Sequence, residues 1–347
     1  MEEIIDLIED ENPPKRYNIT SFGADYDVEG VVSKVSKGKI FIPPFQRKYV
    51  WSIQRASRFI ESLILGLPVP GIFLSTEKET NKLLIVDGQQ RVQTLYKFFS
   101  GEFEKGKPFK LKGVKEELEN CTYSDLSEFD RNRLDESILH ATVMKQEEPD
   151  DGESSIYMIF ERLNTGGLPL QPQEVRACVY YGDLNEFLCS ITELPVWRSL
   201  FSSKNTRMKE EELVLRYFAF ALNRDNYKGN YKYFLNDFMS KNRNLEEHTK
   251  EELENMFISA LTFIVDSLGP SAFKTGNQIN AAIFDSVMIG VLERMKVNKT
   301  PDAGHFRHQY ETLLANPSYK QFVESTTSGV TSVTGRITKA IEMFSGI

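Results

Sequence analysis

The chain lacks any run of 18 or more apolar residues, which excludes an ordinary membrane-spanning helix. Cysteine is scarce. Cys121, Cys178 and Cys189 are far apart and form no Cys-x-x-Cys pair, so neither a zinc ribbon nor a disulfide framework is expected. Histidine is nearly as rare, with only His140, His248, His305 and His308. His305 and His308 share a helical face, and packing or surface roles are expected for them rather than metal binding. No Gly-x-x-x-x-Gly-Lys-Ser/Thr run occurs, so a Walker-type phosphate loop is excluded. The opening residues, Met1-Glu-Glu-Ile-Ile-Asp6, carry neither the basic n-region nor the long apolar run of a signal peptide. The expectation is a soluble cytoplasmic protein without a membrane partner. No repeat with a period of 20–50 residues is present.

What is there supports two cores. The chain has 347 residues, 40% of them hydrophobic and 12% aromatic. Its net charge of −8 excludes a uniformly basic nucleic-acid coat. The charge is unevenly spread, though. Residues 31–60 hold seven cations (Lys34, Lys37, Lys39, Arg47, Lys48, Arg55, Arg58) and no acid, whereas residues 1–11 hold six acids and no base. A local basic surface on an acidic protein suits a polyanion met at one site.

One stretch organises the rest, Leu83-Leu-Ile-Val-Asp-Gly-Gln-Gln-Arg-Val-Gln-Thr-Leu-Tyr-Lys-Phe-Phe-Ser-Gly101. Leu83–Val86 reads as a buried strand and Asp87-Gly88 as a turn. From Gln89 the period becomes helical, with Val92, Leu95, Tyr96 and Phe99 on one face, and Gly101 ends the helix. A helix N-terminus directs backbone N–H groups and the positive end of its dipole outward, which suits a phosphate. Arg91 can add a bidentate clamp. Asp87 can hold a metal ion or orient a water. The plain alternative is a capped helix with a surface arginine.

A second cluster lies upstream, Pro43-Pro44-Phe45-Gln46-Arg47-Lys48-Tyr49-Val50-Trp51. Its aromatics offer flat faces for a base, and Gln46 and Arg47 offer directed hydrogen bonds to a phosphate. The alternative is a structural loop, with Trp51 stapling the helix that follows. The pattern predicts strands at 17–21, 39–42, 71–77, 83–86, 108–114 and 138–145. Asp27 and Ser52 are expected N-caps, and a polar helix begins at Ser127. The acidic run 147–153 marks an expected boundary between an α/β domain, 1–150, and a helical domain, 151–347. In the second domain, helices are expected from Pro172, near 208–223, 231–242, 249–268, 278–296, 302–314 and 331–345, with a capping box at Thr249 and Glu252. Asn164-Thr165-Gly166-Gly167 reads either as a phosphate-approaching loop flanked by Arg162 and Arg176 or as a plain helix–helix turn. Glu174 and Arg176 are candidates for ion pairs joining the domains, and Arg336 for a second anion site.

These motifs, with Phe160-Glu-Arg-Leu-Asn-Thr-Gly-Gly-Leu-Pro-Leu-Gln-Pro-Gln-Glu-Val-Arg176 and Arg207-Met-Lys-Glu-Glu-Glu-Leu-Val-Leu-Arg216, resemble the GmrSD-type restriction endonuclease N-terminal domain family. The likeness runs from about residue 17 to the C-terminus. It implies an α+β chain, with an N-terminal ParB/sulfiredoxin-like mixed α/β domain followed by an all-helical domain. The Asp-Gly-Gln-Gln-Arg motif is similar to the family's nucleotide-hydrolysis motif. That makes Asp87, Gln89, Gln90 and Arg91 candidate catalytic residues and Gly88 a phosphate-binding one. Gln46 and Arg47, from their hydrogen-bonding chemistry, and Asn164, Thr165, Gly166 and Gly167, whose loop the resemblance tips toward the site, are further candidate phosphate-binding residues. The Gln-Arg-x-Tyr-Val-Trp motif resembles a region that some relatives use to sense modified DNA, which implicates Gln46, Arg47, Tyr49, Val50 and Trp51, with Phe45 beside them as a further DNA-sensing candidate. A nucleoside triphosphate with Mg²⁺, the latter on Asp87, is the implied cofactor.

Family members act in bacterial defence against phage DNA with modified bases or backbones. The implied partners are DNA and a separate nuclease or effector, since no His-Asn-His nuclease pattern surrounds the four histidines. Self-association is a further expectation. Turnover is the expected activity. The alternatives are a non-catalytic DNA- and nucleotide-binding regulatory module and a ParB-like nuclease that cuts DNA itself.

Overall fold

A computed structural model describes residues 4–5, 18–42, 49–77, 80–148, 154–163, 170–201, 203, 207–297 and 302–347. They fall into two compact units, one within Arg16–Leu170 and Ala177–Val179, the other within Met1–Lys15, Gln171–Arg176 and Tyr180–Ile347. The first described residues, Ile4–Ile5, form the short strand β1, which belongs to the second unit.

The first unit is a mixed α/β fold. Strand β2 (Asn18–Asp27) leads into helix α1 (Val28–Ser36), where the Asp27 carboxylate accepts from the Gly30 N–H as the sequence suggests. Then come β3 (Ile40–Phe41), α2 (Ile53–Ile64), β4 (Ile72–Thr76), β5 (Leu83–Asp87) and α3 (Gln89–Ser100). A small hairpin of β6 (Glu102–Glu104) and β7 (Lys107–Pro108) precedes α4 (Glu128–Asp135) and the long strand β8 (Ile138–Glu148). The strand expected over 108–114 does not form beyond that hairpin. Phe109 and Leu111 are buried from a loop, and Leu111 exchanges backbone hydrogen bonds with Asn120 and Cys121.

The sheet order is β2-β8-β4-β5-β3. Strands β2 and β8 pair antiparallel, as do β4 and β5, while β8–β4 and β5–β3 are parallel. Ile85 joins Ile72, Leu74 and Val143 in a core filled by Val28, Ile60, Leu63, Val92, Leu95 and Phe98 from α1, α2 and α3. Leu84 and Val86, which alternate onto the other face, are buried as well. Coverage on both faces is why this strand is a continuous apolar run.

Helix α5 (Ser154–Leu163) packs against β5. It therefore belongs to the α/β unit, and the boundary expected at residue 150 moves to Leu170. The buried stripe of α3 also differs from expectation. Phe98 is fully buried and Tyr96 is 41% exposed.

The second unit is helical. It holds α6 (Pro172–Val179, whose last residues fall in the first unit), α7 (Asp183–Ile191), the single turn α8 (Pro195–Arg198), α9 (Lys209–Asn223), α10 (Tyr231–Lys241) and α11 (Lys250–Leu268). After the short strands β9 (Lys274–Thr275) and β10 (Gln278–Asn280) come α12 (Ala281–Met295), α13 (Ala303–Ala315), α14 (Pro317–Glu324) and α15 (Val330–Phe344). Strand β1 pairs parallel with β10, which pairs antiparallel with β9.

Helix α12 is buried from Ala281 through Leu292, so it is apolar on nearly all sides. Gly290 lets α15 approach it closely, since a Cβ there would lie 2.7 Å from the Phe344 ring. At the centre, Asp285 is paired with both Arg216 (2.5 Å) and Arg336 (3.3 Å), all three fully or almost fully buried. Arg336 also donates to the Thr327 carbonyl at 2.6 Å. Arg336 is thus part of the core and not the open anion site considered from sequence. Among the described residues, no helix is long and apolar enough to cross a membrane.

Candidate functional site

The β5–α3 junction forms as the sequence predicts, a strand, one turn residue and a helix. Gly88 is the N-cap of α3 with φ +98°, a left-handed conformation, and no side chain caps the helix. A Cβ at Gly88 would lie 2.4 Å from Ile72 Cγ2 and 3.2 Å from Arg91 Nη2. Both the dihedral and the space therefore require glycine here. The first turn carries no acidic residue, and the one carboxylate beside it, Asp87, is paired with Arg91.

Asp87 and Arg91 face each other one turn apart. Arg91 Nη2 donates to Asp87 Oδ2 at 3.0 Å and to the Gly71 carbonyl at 2.8 Å. The Asp87 side chain is 38% exposed and that of Arg91 only 16%. Arg91 Nε is buried and has no hydrogen-bond partner among the described residues. The guanidinium thus ties the end of β5 to the start of β4 from beneath the turn. Asp87 remains the more open of the two groups. Gln89 is buried at the helix start.

Gln90 has a defined task. Its Oε1 accepts from the Val50 N–H at 2.9 Å and from the Trp51 N–H at 3.3 Å. One turn on, Thr94 Oγ1 donates to the Gln90 carbonyl at 2.7 Å, so the Tyr49 hydroxyl donates to Thr94 Oγ1 at 2.8 Å. The Tyr49 ring meets the Phe103 edge at 5.6 Å and has Lys97 Nζ 4.9 Å from its centroid. Burial pushes the Tyr49 phenol above its ordinary pKa.

Trp51 packs edge-on against Phe59 of α2 at 5.7 Å, with Arg55 over its ring at 4.8 Å, so it staples α2. Of these three residues only Val50 is exposed, at 64%. Tyr49 and Trp51 are built into the fold and are not open stacking platforms. Of the cations in 31–60, Lys37, Lys39, Arg55 and Arg58 are exposed.

The structure thus brings Tyr49, Val50 and Trp51 onto the helix that starts at Gln89, joining two motifs that lie about forty residues apart in sequence. Phe45, Gln46 and Arg47 lie outside the described residues, as do Asn164, Thr165, Gly166 and Gly167. Sequence reasoning missed Gly71, Ile72, Thr94 and Lys97. Thr94 and Lys97 had a signal, since both follow Gln90 on the same helical face.

Glu174 and Arg176 form ion pairs within the helical unit. Glu174 takes Arg207 in a two-pronged pair (3.0 and 2.9 Å) and caps the Gln171 N–H, while Arg176 pairs with Glu212. All of these residues lie in the helical unit.

No group of three or more His, Cys, Asp or Glu side chains suited to a metal exists among the described residues. An all-protein cage is therefore not offered there. Asp87, part-exposed and with one oxygen held by Arg91, fits Mg²⁺ only as one ligand among phosphate oxygens and water, since that ion takes one or two carboxylates.

Residues 28–181 match the family model described as GmrSD restriction endonuclease, N-terminal domain. No curated protein matches the chain. Among solved structures, the C2221 form of a Pnob8-like ParB-N domain is similar at 12% sequence identity, over 94% of this chain and 100% of that chain, with a TM-score of 0.22. At that score the likeness carries no argument.

Proposed function

Since residues 28–181 belong to the GmrSD restriction endonuclease N-terminal domain family, we propose that the chain is a component of a restriction system that binds and hydrolyses a nucleoside triphosphate. On this reading it meets foreign or modified DNA and controls a partner nuclease or effector. The observation that carries the nucleotide reading is the α3 N-terminus, which opens behind a left-handed glycine, lacks a side-chain cap and is flanked by Asp87 and Arg91. Phosphate oxygens fit the backbone N–H end of the helix. Asp87 would hold Mg²⁺, which supplies charge neutralisation on the phosphates when bound. Arg91 stabilises negative charge at the turn, and Gln89, at the same helix start, is the candidate for orienting a water.

One observation favours a second reading, binding without turnover. Arg91 is already engaged by Asp87 and Gly71, so it is better placed to shape the turn than to follow developing charge. The exposed cations of 31–60 supply a surface for the DNA backbone in either reading.

The test is phosphate release from ATP, GTP and CTP with Mg²⁺, with and without DNA, in wild type and Asp87→Asn. Turnover lost in the variant supports hydrolysis. Nucleotide binding without turnover supports the second reading. DNA nicking by the purified chain, lost in the same variant, would replace both with a nuclease.

A further inference from the structure

Gln90, Thr94 and Lys97 form one stripe along α3, and each holds the segment Tyr49–Trp51. Gln90 Oε1 takes the Val50 and Trp51 N–H groups, Thr94 takes the Tyr49 hydroxyl, and Lys97 lies against the Tyr49 ring. The uppermost of the three, Gln90, is the second residue of the helix. Its backbone is part of the helix end that the proposed phosphate would meet.

A carbonyl oxygen has two acceptor sites. With both turned to Val50 and Trp51, Gln90 Oε1 cannot also accept a hydrogen bond from an attacking water.

We propose that Gln90 is a positioning residue that couples occupancy of the Asp87–Arg91 turn to the setting of the Tyr49–Trp51 segment. An anion at the helix end orders the first turn and with it the Gln90 side chain, which tightens the clamp. By reciprocity, the clamped segment favours the anion. The clamp is a route by which a nucleotide alters the setting of Tyr49, Val50 and Trp51. The clamp itself rests on geometry alone, and its coupling rests on the nucleotide reading above.

The experiment is amide hydrogen exchange of the full chain, read on peptides covering 49–51. It compares wild type, Gln90→Ala and Gln90→Glu, each without ligand and with ATP, GTP or CTP plus Mg²⁺. Binding of each nucleotide is measured separately by calorimetry, and a melting curve confirms that each variant folds.

Without nucleotide, Gln90→Ala is expected to speed exchange of the Val50 and Trp51 amides at least about fivefold, because two hydrogen bonds are lost. Gln90→Glu, which keeps an acceptor oxygen, is expected to retain protection. Equal exchange in wild type and Gln90→Ala would overturn the clamp, whatever nucleotides do. With a bound nucleotide, wild type is expected to slow exchange at 49–51 by about fivefold or more, and Gln90→Ala is not. A nucleotide that binds wild type and leaves 49–51 unchanged would overturn the coupling while the nucleotide reading stands. No binding of any nucleotide would overturn that reading and the coupling with it, leaving the clamp to the ligand-free comparison.

Discussion

Arg176 donates to Glu212 at 2.8 Å with its guanidinium only 3% exposed. Two residues earlier, Glu174 accepts Arg207 through both oxygens. The signs are reversed between the two pairs, so the stretches 171–176 and 207–216 are cross-braced in both directions. Arg176 also reaches Asn236 at 2.9 Å and Gln173 at 3.2 Å, which satisfies most of its fork. Removing it leaves the Glu212 charge without this partner and strips Asn236 of a donor. Arg176→Ala is therefore expected to cost roughly 3 kcal/mol. Arg176→Lys restores only part of this, since an ammonium cannot match the fork. Urea unfolding of both variants checks this, and a loss below about 1 kcal/mol for Arg176→Ala would show the brace to be dispensable.

Gly88 makes a sharper prediction at the turn. A methyl group there meets Ile72 Cγ2 at 2.4 Å while φ stays at +98°. The protein can neither relax the dihedral without breaking the β5–α3 junction nor clear the space without shifting β4. Gly88→Ala is expected to cost about 2 kcal/mol or more, beyond the usual left-handed penalty of roughly 1 kcal/mol. It also moves Arg91, which lies 3.2 Å from the same Cβ position. Nucleotide affinity should fall with stability, and a stable Gly88→Ala protein with intact binding would contradict the geometry.

The junction was legible in sequence because its signals are local. Gly88 and Gly101 both take left-handed φ, and the apolar run between two turns could only be a short strand. The face of α3 was less legible. Val92 and Leu95 were correctly placed inward, but Phe98 is buried where Tyr96 and Phe99 were expected. The exact stripe depends on what lies opposite, and here that is the Phe103–Phe109 cluster, whose Phe109 comes from a loop. Asn316-Pro317 is a readable start for α14, with Asn316 accepting from the Tyr319 N–H. The clamp on Gln90 was beyond reach. No local pattern tells a glutamine that binds water from one that holds a strand entering forty residues earlier.

Asp87 and Arg91 separate chemistry from scaffold. Arg91 bridges Gly71 and Asp87 and is largely enclosed, whereas Asp87 is more than one-third exposed. Arg91→Ala removes the tie between β4 and β5 and leaves the Gly71 carbonyl without that donor, a loss of about 1–3 kcal/mol. Asp87→Asn keeps an acceptor for Arg91 and removes a charge, so its stability should stay within about 1 kcal/mol of wild type. Both are expected to abolish phosphate release. Melting curves beside phosphate-release assays check the split. If Asp87→Asn hydrolyses nucleotide at the wild-type rate, neither metal binding nor water orientation can be assigned to Asp87.

Tyr123 and Asp135 give the fold a pH signature away from the turn. The Tyr123 hydroxyl donates to both Asp135 oxygens, at 3.0 and 2.9 Å. Burial, with the Asp135 bond and charge, pushes the phenol up to about 12. Burial also raises the Asp135 carboxyl above its ordinary value, and this outweighs the Tyr123 hydrogen bond, which lowers it. A carboxyl raised on folding binds its proton more tightly in the native state. Its contribution to stability is therefore fully present below the unfolded value of about 4 and is lost as pH rises through the folded value. At neutral pH the ionised group is a small net cost. Asp135→Asn keeps an acceptor for Tyr123 without the charge. It is expected to stabilise the protein at pH 7 by no more than about 0.5 kcal/mol, because the site is partly solvated and screened. That advantage should shrink as pH falls toward 4, where wild-type Asp135 is itself protonated. Urea midpoints of both proteins across this range decide it. If Asp135→Asn is the less stable protein at pH 7, the hydrogen bond to the charged carboxylate outweighs its desolvation and the sign is reversed.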